Sequence, residues 1–125
     1  MNIFSSIDTS PTKVFQTSAA LTGGAFTAVT LTENGVATSA AGEKSIGILA
    51  AETELPVAQG EDVNVIICGG TLWIVGEAVK AGDLLAAGAG GKAVKATNGA
   101  FALAQALENG AANQAVHVLI VRANG

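Results

Sequence analysis

Tyrosine is absent from this sequence, and histidine, cysteine, tryptophan and methionine occur once each. A lone Cys68 excludes an intrachain disulfide framework and points to a reducing site of synthesis, the cytoplasm. Set at the end of Val65-Ile66-Ile67-Cys68, it reads as a small core hydrophobe. The only aromatics are Trp73 and the phenylalanines Phe4, Phe15, Phe26 and Phe101. A core must therefore be assembled from alanine and small aliphatics.

Charge is also scarce, at 13% of residues against the roughly 25% of a typical soluble domain. Much of the surface must be uncharged, which favours a protein covered by copies of itself or by a partner. Ten acidic and six basic residues give a net charge of −4. The basic residues are scattered, so the clustered Lys and Arg that phosphate binding requires are missing and no nucleic-acid partner is expected. The uncharged stretch 14–32 is broken by Gln, Thr, Ser and Gly23-Gly24 and does not read as a spanning helix, so no membrane partner is expected either. Asp8 precedes the first basic residue, Lys13, which is not the start of a secretory signal.

What is present is a strand grammar. At 125 residues the chain is one domain's worth and can bury roughly two thirds of its unfolded surface. Residues 1–21 are rich in Ser and Thr, contain Pro11, and carry Ile3, Phe4, Ile7, Val14 and Phe15 without a clean period. They read as an extended N-terminal arm, with those five residues as anchors, ahead of a β domain over 22–125. Phe26-Thr27-Ala28-Val29-Thr30-Leu31-Thr32 alternates, and Asn34-Gly35 suits a type I′ turn into Val36-Ala37-Thr38. Asp62-Val63-Asn64-Val65-Ile66-Ile67-Cys68 places Val63, Val65 and Ile67 on one face, and Gly69-Gly70 turns the chain into Thr71-Leu72-Trp73-Ile74-Val75. Phe101-Ala102-Leu103-Ala104-Gln105-Ala106-Leu107-Glu108 has helix propensity but is read as a strand.

That choice rests on an internal echo. Gly47-Ile48-Leu49 followed by Val63-x-Val65 is similar to Ala106-Leu107 followed by Val116-x-Val118, suggesting two related hairpins but too faint to establish a repeat. In the last strand Val116, Val118 and Ile120 face one way and His117, Leu119 and Val121 the other. A barrel strand buries one face in the core, so a second apolar face needs another cover. Ile66, Trp73, Leu119 and Val121 are accordingly expected at contacts between subunits.

Chemistry finds few candidates. One His and one Cys supply neither a zinc ligand set nor an oriented nucleophile pair, and His117 lies mid-strand between valines. Glu52, Glu54, Glu61, Asp62 and Glu77 fall at strand ends and loops, where solvated charge is the usual role, and no Asp-x-Asp-x-Asp-Gly pattern fixes a calcium loop. Gly88-Ala89-Gly90-Gly91-Lys92-Ala93 fails as a phosphate loop, because Ala86 and Ala93 stand where glycine and a hydroxyl residue are required. It reads as a hairpin loop. In Val79-Lys80-Ala81-Gly82-Asp83-Leu84-Leu85 the Gly-Asp pair suits a tight turn, with Gly at positive φ and Asp accepting nearby amides. No catalytic residue, metal or cofactor is expected.

The order of these pieces, from Asn34-Gly35 through Ser45-Ile46-Gly47-Ile48-Leu49, Val79-Lys80-Ala81-Gly82-Asp83-Leu84-Leu85, Ala104-Gln105-Ala106-Leu107-Glu108 and Val116-x-Val118-x-Ile120, resembles a family of small phage capsid decoration (cement) proteins. The resemblance implies a mainly β fold, a small β-barrel or β-tulip core with an extended N-terminal arm. It further implies a non-catalytic homotrimer on the outer capsid surface of the virion, whose partner is the major capsid protein and whose role is to lock neighbouring capsid subunits together. Residues 1–22 form a longer lead than the most compact members carry. Other classes remain open: a phage tail or fibre component, a minimal barrel enzyme, or a small ligand-binding β-barrel, which would need an apolar cavity with convergent polar groups.

Overall fold

A computed structural model describes residues 11–124, and Ile3, Phe4 and Ile7 lie outside that range. Ten strands follow in chain order: β1 (Thr12–Gln16), β2 (Ala28–Thr32), β3 (Gly35–Thr38), β4 (Gly47–Leu49), β5 (Asp62–Ile66), β6 (Gly70–Ile74), β7 (Leu84–Ala87), β8 (Ala93–Lys95), β9 (Phe101–Ala106) and β10 (Ala115–Asn124). The single helical turn among the described residues is 3-10, over Ala89–Gly91. Valine and alanine alternation produces these strands. Val63 and Val65 are buried while Asp62 is exposed, and Val116 and Val118 are buried while His117 and Leu119 are exposed.

The strands form two five-stranded antiparallel sheets, ordered β1-β5-β4-β2-β3 and β6-β10-β9-β7-β8. These are the same order, first-fifth-fourth-second-third, applied to two successive stretches of chain. The register repeats as well. The cross-strand row Thr12, Ile66, Ile48, Ala28 in the first unit corresponds to Gly70, Leu119, Gln105, Leu84 in the second. Equivalent main-chain bonds recur outside the ladders, with Ile67 N donating to Pro11 O as Ile120 N does to Gly69 O, and Leu49 N to Thr27 O as Ala106 N does to Asp83 O. Isolated parallel bridges, Thr17 with Val36 and Val75 with Ala93, bring the outer strands of each sheet together without closing a barrel ladder. The chain is therefore a tandem of two like units, and the faint echo in the sequence is the β4–β5 and β9–β10 pairing of each.

Each unit fills its interior from equivalent positions: Leu21, Val29, Val36, Leu49, Val63 and Val65 in the first, Val79, Leu85, Ala93, Ala106, Val116 and Val118 in the second. The fillings differ in a compensated way. Where the first unit has Phe15, Val36 and Leu49, the second has Trp73, Ala93 and Ala106, a larger ring offset by smaller neighbours.

Four sequence expectations change. Thr12–Gln16 is not free arm but an edge strand paired with β5, and Thr17 and Leu21 are buried, because alternate side chains of this segment meet the first unit's core. The β2–β3 turn is not type I′. Thr32 pairs with Gly35 around Glu33 and Asn34, and Gly35 alone has positive φ, at 132°. Its place is fixed by close approach, since a Cβ there would collide with the Gln16 carbonyl. Cys68 is exposed, because β5 ends at Ile66 and Cys68 belongs to the crossing between sheets. Trp73, expected between subunits, is wholly buried in the second unit because it shares the inward face of its cross-strand partner Val116.

The units are joined by close main-chain approach and a short list of bonds. Within the second unit, Trp73 Nε1 donates to the Gly91 carbonyl at 2.8 Å and fixes the β7–β8 loop that meets the first unit. Gly91, at φ 76°, passes so close to Ala28 that a Cβ would lie 2.7 Å from the Ala28 carbonyl oxygen. Ile74 N donates to Phe26 O at 2.9 Å and Gly42 N to Ala87 O at 3.1 Å. Arg122, in a β-bulge of β10 at φ 49°, reaches back so that its guanidinium donates to the carbonyls of Ile46 and Ile67 in the first unit. Trp73→Ala is expected to cost about 3–5 kcal/mol of stability. Arg122→Ala should cost about 1 kcal/mol, both read as the midpoint shift in urea unfolding followed by circular dichroism.

Candidate interaction surfaces

The chemistry-bearing side chains are dispersed. His117 is exposed on the outer face of β10, where its backbone N–H donates to Glu108 Oε2 at 2.9 Å and its ring Nδ1 lies 2.8 Å from the same oxygen. The backbone hydrogen bond, then the ring contact, hold the Glu108 carboxyl below its ordinary 4.5. Glu52, Glu54, Glu61, Asp62 and Asn64 line an open groove of about 240 Å³, where Asn64 Nδ2 donates to Glu52 Oε1 at 2.7 Å. Glu77 lies elsewhere and accepts from the Lys95 backbone. Among the described residues no three His, Cys, Asp or Glu side chains are gathered as a metal site.

The loop 88–92 is the β7–β8 hairpin, built around the Ala89–Gly91 turn. Lys92 Nζ donates to Asn113 Oδ1 at 2.9 Å, so the lysine is directed to a neighbouring loop. At residues 79–85 Gly82 has φ 93° and Asp83 Oδ2 accepts from Lys80 N, which sets the turn entering β7.

Apolar side chains at the surface make the stronger pattern. Val14 is 63% exposed, whereas Phe15 on the opposite face packs against the first unit's core. Ile66 is half-buried in the outer row of the first sheet, and Leu119 at the equivalent place in the second is 41% exposed. Val121 is exposed at the β10 bulge. Leu31 and Leu107, each 54% exposed, were not singled out from sequence. Leu31 lies one residue before the end of β2 and Leu107 just beyond β9, where a period of two does not decide exposure; their equivalence to buried positions in the other unit was the missing signal.

The units meet one way. Ala28 and Ile48 on the outer row of the first sheet are fully buried and belong to the second unit's core cluster, while their counterparts Leu84 and Gln105 remain partly exposed. The tip of the second unit that approaches this row is likewise buried, with Ala87 at 3% and Gly88 and Gly91 also covered. The first unit's tip is open at Leu31, Glu33 and Asn34.

No protein-family model and no curated protein matches the chain. Its fold is shared with solved structures. The head fibre gp8.5 N base of bacteriophage phi29 superposes with a TM-score of 0.58 over 91% of this chain and 96% of that one, at 19% identity. The likeness is one of fold across nearly the whole of both chains, and it shows the mainly β architecture expected from sequence.

The Glu108 carboxyl gives a pH prediction. A folded-state value below the ordinary one contributes stability that is present above the ordinary value and is lost as pH falls through the folded value. Glu108→Gln should therefore lower the melting temperature slightly at neutral pH, and the difference from wild type should vanish in acid. Melts taken from neutral pH down through the carboxylate range check this.

Proposed function

We propose that the chain is a structural protein of a phage head, which binds the outer surface of the capsid and stabilises contacts between major capsid subunits as a homotrimer. The observation that carries this reading is the fold it shares, over 91% of its length, with a phage head-fibre base. The ordered motifs from Asn34-Gly35 to Ile120 add their resemblance to decoration proteins. Its surface suits such a role, being poor in charge and dotted with exposed leucine and valine. The chain acts by binding, not turnover, and works without metal or cofactor. Many copies on one lattice convert a modest affinity per copy into durable reinforcement.

A fibre base is the second reading, favoured because the matched structure is itself part of a head fibre. The two differ in where mass appears on the particle. Purified chain added to capsids lacking it should co-sediment with them and raise the temperature at which they rupture. Electron cryomicroscopy should then show low density bridging capsomers. Density confined to the foot of long projections would favour the fibre, and failure to bind capsids at all would remove both readings.

A further inference from the structure

The chain contains one complete copy of a docking arrangement and, separately, the two halves of a second. In the complete copy the tip of the second unit, at Ala87, Gly88 and Gly91, closes over the outer row of the first sheet, Ala28 and Ile48. By register, that row recurs in the second sheet as Leu84, Gln105 and Leu119. The tip recurs in the first unit at Leu31, which pairs with Val36 as Ala87 pairs with Ala93, and continues into Glu33 and Asn34. Ala87 is 3% exposed and Leu31 54%. The open face and the open tip therefore sit in different units of the chain.

A contact of this kind is heterologous: its two sides are different surfaces, so using one copy internally leaves one of each unused. We infer that a second copy of this chain seats its first-unit tip, around Leu31, on the outer face of this chain's second sheet, joining chains head to tail. The face is fit for it. Leu119 and Leu107 stand out from it, and Leu72, cross-strand from His117, and Leu84 are partly exposed beside them. Gln105 replaces Ile48 at the centre of the row, but its side-chain Nε2 donates to the Gly82 carbonyl at 3.1 Å, so part of its hydrogen-bonding capacity is already used within the chain. Removing these leucines from water supplies the drive, and the register already used inside the chain supplies the geometry.

Head-to-tail joining has a signature that a like-on-like contact lacks. Leu119→Lys spoils only the face and Leu31→Lys only the tip. Sedimentation velocity on the full chain at micromolar and higher concentration should show self-association. Each variant alone should weaken it by at least about tenfold, at 1.4 kcal/mol per decade. An equal mixture should recover dimers, because the intact tip of the Leu119→Lys chain can meet the intact face of the Leu31→Lys chain. Thermal melts confirm that each variant is folded, and Leu107→Lys provides a second face variant with the same expected behaviour. The inference is overturned if the wild-type chain stays monomeric, which would leave the face to another protein. It is equally overturned if only one variant affects association, or if the mixture associates no better than its parts. The experiment needs no capsid, so its outcome is independent of whether the chain binds one.

Discussion

The seam between the two units is the constraint on which the rest of the molecule depends. A unit of five short strands with a core of valine, leucine and alanine encloses little apolar volume, and small single cores are marginal on their own. Here the second unit's core continues across the seam to take in Ala28 and Ile48. The continuation requires main chain to approach main chain at Gly91 and Ala28, and the indole of Trp73 holds that approach by bonding the Gly91 carbonyl. Arg122 secures the other end of the seam by bonding carbonyls of the first unit. The largest side chain in the protein is thus held inside the second unit, where it braces the loop that meets the first.

Much of the strand content was legible because it follows a period of two. Val63 with Val65 and Val116 with Val118 declared their faces directly, and Phe101–Ala106 proved to be a strand despite its helix propensity. The duplication was legible only as the faint echo of Val63-x-Val65 in Val116-x-Val118, because the two units preserve register better than side-chain identity. Ile48 corresponds to Gln105, Val36 to Ala93 and Gly35 to Lys92, so a residue-by-residue comparison finds almost nothing, while hydrogen-bond pairing finds nearly everything. Trp73 was misplaced for a related reason: β6 is apolar on both faces, and sequence alone does not say which face is inward.

The candidate surfaces were legible in part. Leu119 and Val121 were marked by the two-sided apolar pattern of β10 and are exposed. Leu31 and Leu107 acquire meaning only when each is set beside its counterpart in the other unit, which requires the fold. Val14, expected as an anchor in the arm, projects from an edge strand and is exposed, because its neighbours Phe15 and Thr17 are drawn into the first unit.

The bridges Thr17–Val36 and Val75–Ala93 have a bearing on how such a protein tolerates crowding. Unpaired strand edges are templates for non-native pairing, most dangerously where many identical chains are held close together. In each unit the two outermost strands touch one another, so the backbone a stranger could pair with is shortened on both sides. The chain can present apolar side chains to neighbours while withholding its main chain, and that separation lets identical molecules sit shoulder to shoulder without running together into a continuous cross-β sheet.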